Sequence, residues 1–236
     1  MIRRLDLHGS LAYFWVRLDG EPTPVVPGQY LTLGVEAGGK LLQRPYSLVS
    51  DPVTAGSTGY EFLVRLLPDG RFTPLLWRLR VGHRLRMIGP KGRFTLGASD
   101  DRTHLFVSSG TGSAPFVSMM RSLRRTEDAR RVVFLNGASY IEDLAYREMF
   151  ESWQAGGEYP LTYIPTISRP SEAGNAAWAG RTGRVETIVG SVCDDLQLAA
   201  SNTVVYICGN PAMAVSVEAL LDARGFTKDQ MKKEVY

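Results

Sequence analysis

The sequence predicts an α+β protein of two domains in series: an antiparallel β-barrel over residues 1–99, then a doubly wound α/β domain with a parallel sheet over residues 100–236. Three observations predict it. Up to about residue 97 the apolar residues come in short aromatic and β-branched runs cut by Gly and Pro. After about residue 100, strand-like runs alternate with helical patterns, the signature of a parallel sheet covered on both faces. Where the period changes, His104–Ser108, Gly110-Thr111-Gly112 and the pattern 116–124 read as strand, glycine loop and helix.

In chain order, 11–18 (Leu-Ala-Tyr-Phe-Trp-Val-Arg-Leu) is the first strand, and Pro22, Pro24 and Pro27-Gly28 break the chain after it. Strands are then expected at 29–35, 46–49, 60–67 and 83–88, each ended by Gly, Pro or Asp-Gly, a spacing that fits a barrel. Pro68-Asp69-Gly70 is a turn, and 74–79 a short helix capping a barrel end. In the second half, strands are expected at 104–108, 132–135, 161–167 and 203–207, with helices at 116–124, near 142–153 and at 211–223.

Composition excludes several classes. With 236 residues and 44% hydrophobic composition the chain can bury a core in each domain. No apolar run reaches the length of a membrane span, and the first residues lack a signal-peptide core, so a soluble cytoplasmic protein is expected, with no membrane partner. The two cysteines, Cys193 and Cys208, are too few for a zinc cage or a four-thiolate iron–sulfur site, so no metal is expected and redox chemistry requires another cofactor. His8, His83 and His104 show no spacing for a hydrolase or a metal site. The net charge is only +3, yet 71–99 holds no Asp or Glu while Arg71, Arg78, Arg80, Arg84, Arg86, Lys91 and Arg93 fall inside it. An acidic partner, a solvated face and a nucleic-acid surface are the possible meanings; the run lacks any nucleic-acid-binding signature.

Five places carry chemistry. Arg44-Pro45-Tyr46-Ser47 presents a forked donor, an aromatic face and a hydroxyl from a stiff strand edge, a set that suits a flavin nucleotide, though an ordinary strand would also read this way. Arg71 and the amides after Gly70 suit a phosphate; a plain surface turn is the alternative. The glycine loop Gly110–Gly112 puts backbone amides at a helix start, where a phosphate or ribose is received, a tight turn with no ligand being the alternative; Cys208-Gly209-Asn210-Pro211 ends a strand with a glycine that lets a ring approach the backbone, with Cys208 otherwise a small buried hydrophobe. Arg169, Arg181 and Arg184 belong at the carboxyl ends of the parallel strands, where ligands of such sheets bind.

Together with Gly70-Arg71-Phe72-Thr73, Gly110-Thr111-Gly112-Ser113-Ala114-Pro115, Cys208-Gly209-Asn210-Pro211-Ala212-Met213 and the final Glu234-Val235-Tyr236, the Arg44–Ser47 motif resembles the ferredoxin–NADP reductase family, in order and over nearly the whole chain. The resemblance implies an FAD-binding barrel, an NADP(H)-binding α/β domain and an acidic one-electron carrier, ferredoxin or flavodoxin, docking on the basic 71–93 region. A monomer is expected, without nucleic acid. It places FAD on Arg44, Pro45, Tyr46, Ser47, Leu63, Arg65, Gly70, Arg71, Phe72, Thr73, Thr111 and Tyr236. NADP falls on Gly110, Gly112, Ala138, Ser139, Ser168, Arg169, Arg184, Cys208, Gly209 and Asn210. Ser47, Cys208, Glu234 and Tyr236 would serve catalysis, Tyr236 by stacking on the isoalloxazine ring. Three points depart from the pattern: Ser139 stands where similar bacterial relatives often carry an arginine and Ser216 where they often carry an acid, both bearing on NADP over NAD, and the final Glu234-Val235-Tyr236 resembles the plant members more than bacterial relatives that add a tryptophan or a longer tail. A free-flavin reductase, a reductase component of an oxygenase and a regulatory flavin-binding subunit are the alternative readings.

Overall fold

A computed structural model describes residues 1–98, 100–157 and 159–236. The chain divides into two compact units, residues 1–96 with 114–122, and residues 97–113 with 123–236. The expected boundary after Ser99 falls on a residue outside the described ones.

In the first unit, β1 (Arg3–His8) and β2 (Leu11–Val16) are followed by β3 (Tyr30–Ala37) and β4 (Lys40–Ser47), then α1 (Pro52–Thr58), β5 (Tyr60–Arg65), α2 (Thr73–Arg78) and β6 (Arg86–Lys91). They make two three-stranded antiparallel sheets, β1-β2-β5 and β4-β3-β6, so the expected barrel is built as two sheets. Alternation sends Ala12, Phe14, Leu31, Leu33, Phe62 and Val64 inward, where Leu76 of α2 closes the same core. The strand expected at 46–49 instead begins at Lys40. Gly38 and Gly39, at φ +57° and +70°, join Ala37 to Lys40 in a two-residue hairpin, which only residues at ease with positive φ make cheaply.

The second unit holds β7 (Thr103–Ser109), the end of α3 (Ala114–Arg125), β8 (Val132–Ala138), α4 (Arg147–Gly156), β9 (Leu161–Ile167), β10 (Arg181–Thr182), α5 (Val185–Asp195), β11 (Thr203–Gly209), α6 (Pro211–Ala223) and β12 (Met231–Val235). The sheet runs β10-β9-β8-β7-β11-β12 and every pair is parallel. On one face Leu105, Val107, Val133, Leu135, Val205 and Ile207 meet Val185, Val189 and Val192 of α5 and Met213 and Val217 of α6. On the other, Phe134 stands edge-on to Phe150 of α4 with ring centroids 5.1 Å apart, a pairing that contributes about 1 kcal/mol beyond its buried area. The helix expected near 142–153 is broken: a 3-10 turn spans Ile141–Asp143, Tyr146 sits at φ +63°, and α4 starts only at Arg147, because a right-handed helix cannot run through a left-handed residue. Among the described residues no helix is long and apolar enough to cross a membrane.

Candidate flavin and nicotinamide sites

On the first unit, Arg44, Pro45, Tyr46 and Ser47 form the end of β4, an edge strand, where a proline costs no ladder hydrogen bond. Leu42, Arg44 and Tyr46 share one face. Tyr46 leans on the barrel core with its ring 5.9 Å from that of Phe72, and burial holds its phenol well above the ordinary range, so it stays a neutral donor. Arg44 is exposed and gives one N–H to the Gln43 carbonyl at 2.7 Å; among the described residues neither Arg44 nor Arg71 makes an ion pair. β5, the edge strand of the other sheet, approaches β4 and carries the buried Leu63 and the half-buried Arg65.

Gly70 stands in a tight place. A Cβ there would lie 3.0 Å from the Leu67 carbonyl, inside the turn closed by the Gly70 amide at 2.9 Å. Phe72 is buried in the core, and the Thr73 hydroxyl accepts from the Leu67 amide (2.9 Å) and donates to its carbonyl (3.2 Å). Their backbone amides and the Arg71 side chain are therefore what this turn offers an anion. Two exposed guanidinium groups without acidic partners among the described residues and a phenol donor, carried beside two adjoining sheet edges, fit the pyrophosphate and ring of a flavin dinucleotide.

On the second unit the strand order reverses between β7 and β11, and that switch point is where open parallel sheets bind ligands. Gly110, at φ +55°, turns the chain out of β7 into open space. A Cβ on Gly112 would lie 2.2 Å from the Cys208 carbonyl oxygen and 2.8 Å from the Gly209 Cα, so only glycine lets the two strand-end loops touch. Gly209 is at φ +143°, and a Cβ there would strike the Ser109 hydroxyl at 2.5 Å. The Asn210 side chain is committed to capping α6, accepting from the Ala212 amide at 2.8 Å. Cys208 is wholly buried opposite Ser108 on one side and Glu234 on the other; burial, and then Glu234, hold its thiol far above the usual range, so it offers a small neutral wall and no thiolate. The Thr111 hydroxyl donates to the Tyr236 hydroxyl at 3.0 Å, which reaches the Ser109 carbonyl at 3.3 Å. Ser109 is a site residue that sequence reasoning misses, since it precedes the glycine loop and carries no motif of its own.

Further along the carboxyl edge, Ala138 ends β8, and the Ser168 amide donates to its carbonyl at 2.9 Å. Arg169, just past β9, gives an N–H to the Tyr140 hydroxyl at 2.9 Å and lies 5.5 Å from that ring's centre. Arg184 stands at the residue before α5, with Glu186 at 3.8 Å, and Arg181 pairs with Asp195 at 2.8 Å. Ser139, Ser168, Arg169 and Arg184 thus lie along one edge of the sheet, and Tyr140 joins them unannounced by the sequence. Amides at a strand-to-helix turn followed by exposed arginines fit a dinucleotide that lies along this edge.

Known proteins divide in the same way. The oxidoreductase FAD-binding domain family matches residues 3–96 and the oxidoreductase NAD-binding domain family residues 106–219. A ferredoxin–NADP reductase of Sorangium cellulosum is 34% identical over 89% of this chain and 83% of its own length. The reductase component of the propane 2-monooxygenase of Rhodococcus jostii is 33% identical over 87% of the chain, which spans 54% of that protein. Among solved structures, a ferredoxin NADP+ reductase of Neisseria gonorrhoeae with bound FAD and NADP superposes with a TM-score of 0.85 at 21% identity, over 99% of this chain and 96% of that one, a likeness of fold. With an FAD-binding half, an NAD-binding half and a relative so similar over nearly its full length, the chain belongs to the ferredoxin–NADP reductase family of flavin-dependent oxidoreductases.

Proposed function

We propose that this chain is a ferredoxin- or flavodoxin–NADP+ reductase, working as a cytoplasmic monomer in two domains, residues 1–99 and 100–236. FAD rests on Arg44, Tyr46, Ser47 and the Arg71–Thr73 amides, and NADP(H) on the loops after β7, β8, β9 and β11. A flavin held there would supply hydride chemistry towards the nicotinamide and one-electron chemistry towards the carrier. Ser47 supplies a hydrogen-bond partner at the ring edge, Cys208 and Gly209 a close, neutral wall for the nicotinamide, and Tyr236 an aromatic face the nicotinamide displaces. Glu234, opposite Cys208, holds charge near that wall. Arg169 and Arg184 neutralise the 2′-phosphate, which favours NADPH although Ser139 replaces an arginine.

The observation that carries the reading is the close backbone approach of Gly112 to Cys208-Gly209 at the switch point, which glycine alone permits. The seven basic residues between Arg71 and Arg93 are all exposed, and among the described residues only Arg84 and Arg86 have loose acidic neighbours, at 3.8 and 3.7 Å, which supports an acidic carrier. A second reading, the reductase part of an oxygenase, is supported by the similarity to the propane monooxygenase component. An absorbance spectrum of the purified protein followed by NADPH and NADH titration tests the proposal: a flavin spectrum bleached preferentially by NADPH is expected, and colourless protein or equal response to NADH refutes it.

A further inference from the structure

A polar side chain buried inside an otherwise exposed loop is unusual enough to need a cause. Asn175 is 2% exposed, while the residues on either side of it are exposed. Its amide reaches two separate loops. The Nδ2 group donates to the carbonyls of Ser139 (2.9 Å) and Arg169 (2.8 Å), and Oδ1 accepts from the Ile141 amide at 2.9 Å. Two carbonyls and one amide N–H demand two donors and one acceptor in one planar group, a set that asparagine supplies and aspartate, serine or alanine does not. The same loop continues to Trp178, whose amide donates to the Asn175 carbonyl at 2.9 Å and whose indole N–H donates to the Arg181 carbonyl at 2.8 Å.

What the clamp joins is the end of β8 to the segment after β9, 36 and 6 residues away in sequence. The residues whose backbones it holds carry or flank the side chains that meet each other: Tyr140 lies between Ser139 and Ile141, and Arg169 rests on its ring. An exposed arginine on a flexible stem loses much of its rotamer freedom when it grips an anion, and a backbone held in advance reduces that cost. We propose that Asn175 is a positioning residue for nucleotide choice: by fixing the Ser139–Ile141 and Arg169 backbones together, it sets the Tyr140–Arg169 pair as a preformed seat for the 2′-phosphate end of the dinucleotide. The proposal rests on the NADPH reading above and adds the residue that makes the seat rigid where Ser139 has replaced an arginine.

The test uses the full chain carrying its flavin. Calorimetry compares adenosine 2′,5′-bisphosphate with 5′-AMP on the wild type and on Asn175→Ala, alongside KM and kcat for NADPH. The expected result is tighter binding of the bisphosphate by the wild type and about a tenfold loss in the variant (about 1.4 kcal/mol), with little change for 5′-AMP. KM for NADPH rises by the same factor while kcat and the flavin spectrum stay put, a split that a general loosening of the fold would not produce. If the variant does not fold, hydrogen exchange on the wild type decides: the Ile141 amide should slow further with the bisphosphate than with 5′-AMP, and equal protection overturns the proposal. Unchanged discrimination in a folded variant refutes the role of Asn175 and leaves the NADPH reading standing. A wild type that does not discriminate refutes that reading, and this proposal with it.

Discussion

Gly112→Ala probes the switch point with one methyl group. Built on the observed backbone, that methyl lies 2.2 Å from the Cys208 oxygen, 2.6 Å from its carbonyl carbon and 2.8 Å from the Gly209 Cα. Ordinary contacts of this kind lie near 3.5 Å or beyond, so the two loops must part by roughly 1 Å. Neither side yields easily. β11 is paired in register with β7 from Thr203 to Cys208 and with β12 from Val205 to Gly209, and the atoms met are backbone. Overpacking of this sort costs about 1–3 kcal/mol of stability. A displacement of that size at a reacting centre costs about a hundredfold in rate. Flavin binding, which the first unit supplies, should survive. The assay is anaerobic stopped-flow reduction of the bound flavin by NADPH, with flavin content and melting temperature measured beside it. A folded, fully flavinated variant that reduces within about threefold of the wild-type rate would show that close approach of the two loops is not required.

Other outcomes depend on single side chains. Arg44→Ala removes a guanidinium that makes no ion pair among the described residues, and flavin dissociation should rise about thirtyfold, the worth of roughly 2 kcal/mol for a charge-assisted pair; unchanged flavin retention on dilution and gel filtration would sink that role. Tyr236→Ser breaks the hydroxyl contacts with Thr111 and Ser109 and removes the ring. It should tighten NADP+ binding, raise the NADH rate and slow turnover through retained product, whereas no change in all three would take Tyr236 out of the site. His104 is buried at the start of β7, its ring stacked on Tyr206 at 5.6 Å, with Asp100 at 4.0 Å and Arg102, Asp128 and Arg130 around it. Burial, and then Arg130, push its pKa down to about 4. Because the folded pKa lies below the unfolded value near 6.5, the stability is complete above that value. It is lost as pH falls from 6.5 towards 4, by about 3 kcal/mol. His104→Phe keeps the stack without the titration, so urea unfolding at pH 7 and pH 4 should show the wild type losing about that much more than the variant; equal losses would contradict the assignment.

The parts of the fold legible in the sequence were those with local causes. Asn210 as a cap and Pro211 at the first helical position mark α6, and Gly110–Gly112 marks the loop after β7, because each needs only its neighbours to make sense. β12 escaped: Met-Lys-Lys-Glu-Val is polar by composition and becomes a strand only because β11 lies beside it. α5 escaped for a related reason, since Val185, Ile188, Val189 and Val192 are β-branched and are held helical by packing on the sheet. Tyr146 broke a helical pattern by a backbone angle that no propensity announces. In the candidate site, the arginines and glycines could be read from their chemistry. The seat they form could not, because Tyr140 and Arg169 are 29 residues apart and meet only when β8 and β9 pair.

The most direct test of the account is electron delivery to a protein carrier. Purified enzyme, NADPH and a plant-type ferredoxin or a flavodoxin are mixed without oxygen, and carrier reduction is monitored at increasing salt. The account predicts NADPH-driven reduction through bound FAD, slower with NADH and weakened by salt as the exposed basic residues from Arg71 to Arg93 are screened. Flavin that bleaches with NADPH while neither carrier is reduced at any salt concentration would contradict it.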